Sequence, residues 1–235
     1  MKIPTIFQYK QRLWGNSLLV GIRNRMEKKY YILQKETYGV YPQVDCLSIF
    51  QAQQISSWKM FPGVKPKLSF RLKNKAKFTD VLSSTAGPAT DFLINSKVKD
   101  ILDGSHIMQH QFFEASVRKN NQEYEYHWLH LSQPNLIDAL SFEESEFRQT
   151  EWELINKGPI KIRSYDHYME LKAHDKEGAF GVSLDKIVMT EKFDRSLDMF
   201  FLLPFDFNVY VSETLNETLE SSGIKGIGFP RSVMF

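Results

Sequence analysis

The sequence predicts an α+β fold, a mixed or antiparallel sheet with a central hairpin and two strand–cap–helix units. Three observations predict it. FLINSKVKDILD from Phe92 and VYVSETLNETLE from Val209 align without a gap at an offset of 117 residues, each an apolar run followed by a capping residue and a helical pattern. FFEASVR and EYEYHWLHL, between Phe112 and Leu131, flank a KNNQ turn, with the period-two alternation of a hairpin. Short apolar runs punctuated by Pro and Gly recur along the rest of the chain, as strands and short helices separated by turns would require.

Taken in order, SLLVGI (Ser17 to Ile22) and YYILQ (Tyr30 to Gln34) read as strands. Tyr41–Pro42, Phe61–Pro62–Gly63 and Pro66 mark an irregular region, and LSFRL around Phe70 reads as a strand. FTDVLSS from Phe78 reads as a short helix ended by Gly87–Pro88. In the first repeat copy Asn95 is the N-cap, its side-chain oxygen available to an orphan N–H of the first turn, and Val98, Ile101 and Leu102 share a helix face. After the hairpin, which Pro134 ends, SFEESEF reads as helix or turn, PIKIR near Ile160 as strand, and Gly178 to Met189 as one or two short strands. In the second copy Ser212 is the N-cap and Leu215 and Leu219 share a face, while Gly223 and Gly226 stop the helix ahead of a last short strand. No repeat longer than this unit is read, and no linker divides the chain. A single domain over 1–235 is expected, with a composition step near Lys77 leaving open a basic lobe over 1–77 beside a region over 78–229.

A hydrophobic content of 42%, with 14% aromatic residues, excludes a disordered chain. The longest apolar run, MFFLLPF near Met199, is far shorter than a membrane span, so no membrane partner is expected. Cys46 is the sole cysteine and the first residues lack a secretory pattern, which leads us to expect a reducing, cytoplasmic setting. The net charge of +2 conceals polarity: Met1 to Lys77 carries 15 Lys/Arg against Glu27, Glu36 and Asp45, and the remainder carries 15 basic against 25 acidic residues. The basic excess peaks at Lys65 to Lys77. The acidic excess peaks from Asp138 to Glu153, opposed only by Arg148.

Catalytic constellations are thin. His106 and His110 are four apart, the spacing of two ligands on one helix face, but no metalloprotease glutamate lies between them and Gly104 ends the preceding helix. His127 and His130 differ in strand parity and point to opposite faces. Asp166 and His167 are neighbours only in sequence, and Cys46 has no nearby histidine. There is no phosphate-binding glycine loop. Basic residues around Phe70 offer one stacking ring for single-stranded nucleic acid, and the acidic remainder of the chain repels a phosphate backbone. No cofactor, metal or catalytic residue is assigned.

FTDVLSSTAGPATDFLINSKVKDILD, EYEYHWLHLSQPNLIDALSFEESEF and VYVSETLNETLESSGIKGIGF, in this order, resemble the immunity protein 11 family of bacterial polymorphic-toxin systems. The likeness spans Phe78 to Phe229, with Tyr30 to Gln34 a weaker extension, and the basic N-terminal segment matches poorly. The resemblance implies a cytoplasmic antitoxin, not an enzyme, that binds a cognate secreted toxin domain and blocks it by direct occlusion. It also implies that the toxin is often a nuclease, with a basic cleft that carboxylates would match. The partner-binding set expected on that ground is Asp138, Glu143, Glu144, Glu146, Glu151, Glu153 and Trp152, with Phe142 and Phe147 as further anchors. The residues leave open a small metal- or histidine-dependent hydrolase or nuclease, a nucleic-acid-binding module using the basic N-terminal segment, and the choice between monomer and homodimer.

Overall fold

A computed structural model describes residues 28–36, 38–132 and 136–235; the strand expected at Ser17 to Ile22 lies outside them. The elements are β1 (Lys29–Lys35), β2 (Val44–Cys46), α1 (Ile49–Ala52), β3 (Leu68–Leu72), β4 (Val81–Leu82), β5 (Phe92–Ile94), α2 (Ser96–Asp103), β6 (His110–Lys119) and β7 (Gln122–Leu131). A 3-10 turn (Leu136–Ala139) leads to β8 (Glu146–Glu151), β9 (Ile155–Ile160), α3 (Tyr165–His174), β10 (Phe180–Lys186), β11 (Met199–Leu202), β12 (Asp206–Ser212), α4 (Glu213–Ser221), β13 (Ile227–Gly228) and β14 (Ser232–Met234).

The sheets are mixed and antiparallel. A six-stranded sheet runs β2-β3-β6-β7-β5-β4, with β3 and β6 its parallel pair. A second sheet places β1 between β12 and the closing strands β13 and β14, with β11 outside β12. A third runs β10-β8-β9. The expected hairpin is β6 and β7 in continuous register from His110↔Leu131 to Lys119↔Gln122. Asn120 and Asn121 turn it with φ of 50° and 62°, a conformation Asn tolerates. Strand alternation sorts side chains to the two faces of the large sheet. Leu93, Phe113, Val117, Tyr126 and Trp128 join a core covered by Ala52, Ile55 and Ala86, while Phe92, Ile94, Leu129 and Leu131 join the main core with α2, α4 and the second sheet. The composition step at Lys77 coincides with no break in either sheet, since β1 lies in one and β2 and β3 in the other.

The two repeat copies fold alike. Asn95 Oδ1 accepts from Val98 N at 3.1 Å, and Ser212 Oγ accepts from Leu215 N at 3.2 Å. Val98 and Leu102 in α2, and Leu215 and Leu219 in α4, are buried at matching positions. The structure also corrects two expectations. The segment from Phe78 forms no helix; it contributes β4, antiparallel to β5 (Val81↔Ile94), as β11 is to β12 (Met199↔Val211). The repeat is therefore longer than the sequence displays, because the stretch between its two strands has one more residue in the first copy and breaks a gapless alignment. Asp80 and Asp198 head the copies. Asp80 accepts from Asn95 Nδ2 at 2.8 Å and Lys225 N at 2.7 Å; Asp198 accepts from Ser212 Oγ at 2.6 Å and His106 N at 3.0 Å. Each aspartate thus holds its own helix cap and the chain leaving the other copy's helix. The backbone follows suit, with Val81 N donating to Lys225 O and Met108 N to Met199 O. This reciprocal arrangement is a pseudo-two-fold within one chain. Gly226 (φ 98°) is required there, because a Cβ would stand 2.0 Å from Val81 O.

Candidate functional site

The histidines form no shared site among the described residues. His106 follows α2 and its Nδ1 lies 2.8 Å from Ser196 Oγ, whereas His110 opens β6 with Nδ1 2.9 Å from Met108 O. They share no helix face, since α2 ends at Asp103 with Gly104 as its C-cap. His167 Nδ1 accepts from Arg163 N at 3.3 Å. Cys46 Sγ lies 3.8 Å from Ser48 Oγ. No group of three or more His, Cys, Asp or Glu is placed to hold a metal among the described residues.

One buried ionisable pair does form. Asp91, at the entry to β5, accepts from Trp128 Nε1 at 2.7 Å and Leu131 N at 3.3 Å, and His130 Nδ1 lies 3.0 Å from its Oδ2. His130 Nε2 faces Lys59 O at 3.2 Å. Burial alone would pull His130 down, but the hydrogen bond and charge of Asp91 outweigh it and its pKa is raised. With acceptors at both ring nitrogens, the charged ring is the better fit. Burial also pulls Lys35, whose Nζ donates to Ala89 O at 3.0 Å, down to about 8.

The expected partner-binding residues separate into two groups. Asp138 is exposed in the 3-10 turn, Glu143 and Glu144 lie in the turn before β8, and Glu146 opens that strand. Glu151, Trp152 and Glu153 stand at its other end, about 17 Å away at about 3.3 Å per residue. The stretch expected as helix or turn, Ser141 to Phe147, is a turn that runs into β8 at Glu146, and the strand carries its own cations: Arg148 Nη2 is 2.9 Å from Asp185, and Lys157 of β9 pairs with Glu151. Phe142 and Phe147, expected as further anchors, turn toward the core. They stack on each other at 5.7 Å and pack on Phe205 in the core. Trp152 does project: it is 56% exposed beside Leu154 (87%) and Ile155 (51%). Trp152 and Glu153 turn the β8–β9 hairpin with φ of 54° and 59°, positions where such turns favour Asn, Asp or Gly. Trp152 N donates to Ala179 O at 2.8 Å and Leu154 N to Glu151 O at 3.1 Å, which fixes the tip.

Behind the tip, a groove of about 990 Å3 runs between the β8–β10 sheet with α3 and the start of β12. Glu153 and Leu154 form its rim, with exposed Trp58 and Phe207 among its other lining residues. A hollow of about 520 Å3 shares Pro88, Ala89, Phe207 and Asn208 with it and extends to Lys35 and Tyr41. Lys172 and Arg231 line the groove and join no ion pair among the described residues. Its Asp206 is occupied, accepting from Asn208 N at 2.8 Å and from Tyr210 Oη. Thr90, also in its wall, is buried with Oγ1 unpartnered among the described residues. Sequence reasoning missed this groove. The apolar pair Leu154–Ile155 beside Trp152 was its one local signal, since Trp58, Lys172, Phe207 and Arg231 meet only through the fold.

The model of the Immunity protein family (Imm11) matches residues 20–233. The match reaches well before Phe78, so the basic segment at Lys65 to Lys77 is part of the family region and not a departure from it. No curated protein matches the chain.

Proposed function

The chain belongs to the Immunity protein family (Imm11), and from that premise we propose that it binds a cognate toxin domain in the producing cell's cytoplasm and blocks it by direct occlusion, with no chemistry of its own. The observation that carries the proposal is the β8–β9 tip. A tryptophan half out of the protein, flanked by two exposed aliphatic side chains and held in left-handed backbone geometry, has the composition of a binding hot spot. Strain kept at an exposed position is also characteristic of sites shaped for contact. Glu151 and Glu153 frame the tip, and Asp138, Glu143, Glu144 and Glu146 lie beyond the far end of β8 or at it. These carboxylates suit a toxin with a basic, nuclease-like cleft, accelerating and orienting its approach.

The test takes the C-terminal domain encoded by the adjacent upstream reading frame as the candidate toxin. Co-expression with this protein should restore growth, and calorimetry should give a tight complex. Trp152→Ala should weaken it about 30-fold or more, the scale of a hot-spot residue. Glu143→Lys, Glu144→Lys and Glu146→Lys together should slow association mainly at low salt. A folded Trp152→Ala variant with unchanged affinity would remove the tip from the interface.

A further inference from the structure

The groove behind the tip has no role in that proposal, and its chemistry differs from that of the carboxylate surface. Along it stand exposed apolar side chains, Trp58, Leu154 and Phe207, and two cations without ion-pair partners among the described residues, Lys172 and Arg231. The adjoining hollow continues it past Phe207 to Lys35 and Tyr41. The site is therefore long, open and amphipathic, shaped for a stretch of chain and not for a small ion. The charge sign selects the occupant. Lys172, over the Tyr168 ring, and Arg231 are exposed cations free to pair with carboxylates, while Asp206 is satisfied by Tyr210 and Asn208 and Arg148 is held by Asp185. A polyanion fits less well, because Glu153 at the rim and Asp206 in the wall oppose a continuous row of phosphates. The protein's own first residues do not match either, since Lys2, Lys10, Arg12, Arg23 and Arg25 face only Glu27 in charge.

We propose that this groove receives an extended acidic segment of the toxin, its carboxylates paired with Lys172 and Arg231 and its apolar side chains set against Trp58 and Phe207. This rests on the toxin-binding reading and extends it. The tip belongs to both surfaces, because Glu153 and Leu154 rim the groove. The toxin is then gripped with opposite polarity on the two sides of Trp152, which fixes its orientation as well as its affinity. Such recognition is electrostatic at the rim and apolar between the charges, so salt weakens it without abolishing it.

The experiment has two arms on the full chain. In the first, fluorescence anisotropy compares a fluorescein-labelled decapeptide alternating Glu and Leu with its Lys–Leu counterpart and with a single-stranded oligonucleotide. The acidic peptide should bind, the others should not, and Lys172→Glu with Arg231→Glu should weaken it by about tenfold, as two exposed charge reversals imply. Both positions are exposed, and circular dichroism checks that the variant folds. Equal binding of the two peptides, preference for the oligonucleotide, or an unchanged affinity in the variant would overturn the proposal. In the second arm the same variant and Phe207→Ala meet the toxin domain. Weakened binding supports the groove. Full protection and wild-type affinity, beside a loss in Trp152→Ala, would discard the groove while keeping the antitoxin reading. Absence of any wild-type complex would discard that reading itself. A concentration-dependent dimer in sedimentation, dissolved by the charge reversals, would assign the groove to a second copy instead.

Discussion

At the scale of single residues, the largest electrostatic commitment is Asp91, buried at the entry to β5 with Trp128, Leu131 and His130 all directed at its carboxylate. Asp91→Ala strands those donors, and thermal or urea unfolding should register a loss of about 3 kcal/mol or more. The pair also makes stability depend on pH. His130 is raised in the fold, so its contribution is complete below about pH 6.5, the ordinary histidine value, and fades as pH climbs through the folded value. Lys35 acts in the opposite direction and higher up, because a folded pKa of about 8 makes stability rise with pH above that point. Unfolding free energy should therefore fall as pH rises above about 6.5, by an amount that Asp91→Asn reduces; a profile identical in the variant would show that the pair is not its source. His130 was recognisable in the sequence as a histidine among aromatics, but Asp91 lies 39 residues earlier, just ahead of another strand, and no local pattern joins them.

At the scale of elements, the β8–β9 hairpin sets local stability against contact. Placing Trp152 and Glu153 at positive φ costs about 1–2 kcal/mol for each non-glycine residue. Replacing them with Asn and Gly relieves this, as the Asn120–Asn121 turn of the longer hairpin does. The double variant Trp152→Asn, Glu153→Gly should gain about 1 kcal/mol or more in chemical denaturation while losing toxin affinity. A variant that gains neither stability nor loses affinity would contradict both halves. The longer hairpin was plain in the sequence because its alternation is long and its turn residues suit the geometry. The shorter one was not: three carboxylates, a Trp-Glu turn and a register shift between Gln149 and Thr150 obscure period two, and Glu is a poor strand former. The segment from Phe78 misled for a related reason. Its strand is two residues long, held by β5 and by the chain after α4, contacts that no short window contains.

At the scale of the whole molecule, the pseudo-two-fold ties residues 80–108 to residues 198–226. Asp80 and Asp198 each tie one copy's cap to the other copy's exit, so Asp80→Ala and Asp198→Ala should be similarly destabilising, each by about 1–3 kcal/mol, and non-additive when combined. Strict additivity would argue that the two corners act independently. Half of this symmetry was legible, since Asn95 with Val98 and Ser212 with Leu215 stand at a constant spacing; the exchanged contacts involve residues on opposite copies and carry no common motif. That frame presents the Trp152 tip beside the amphipathic groove, and their use by the toxin is the central claim. Amide hydrogen exchange on the purified complex with the neighbouring toxin domain tests it most directly. Slowed exchange over 149–157 and 203–209, with the α1 region unchanged, is the predicted footprint; protection confined to α1 and β2, with the tip and groove exchanging as in the free protein, would contradict it.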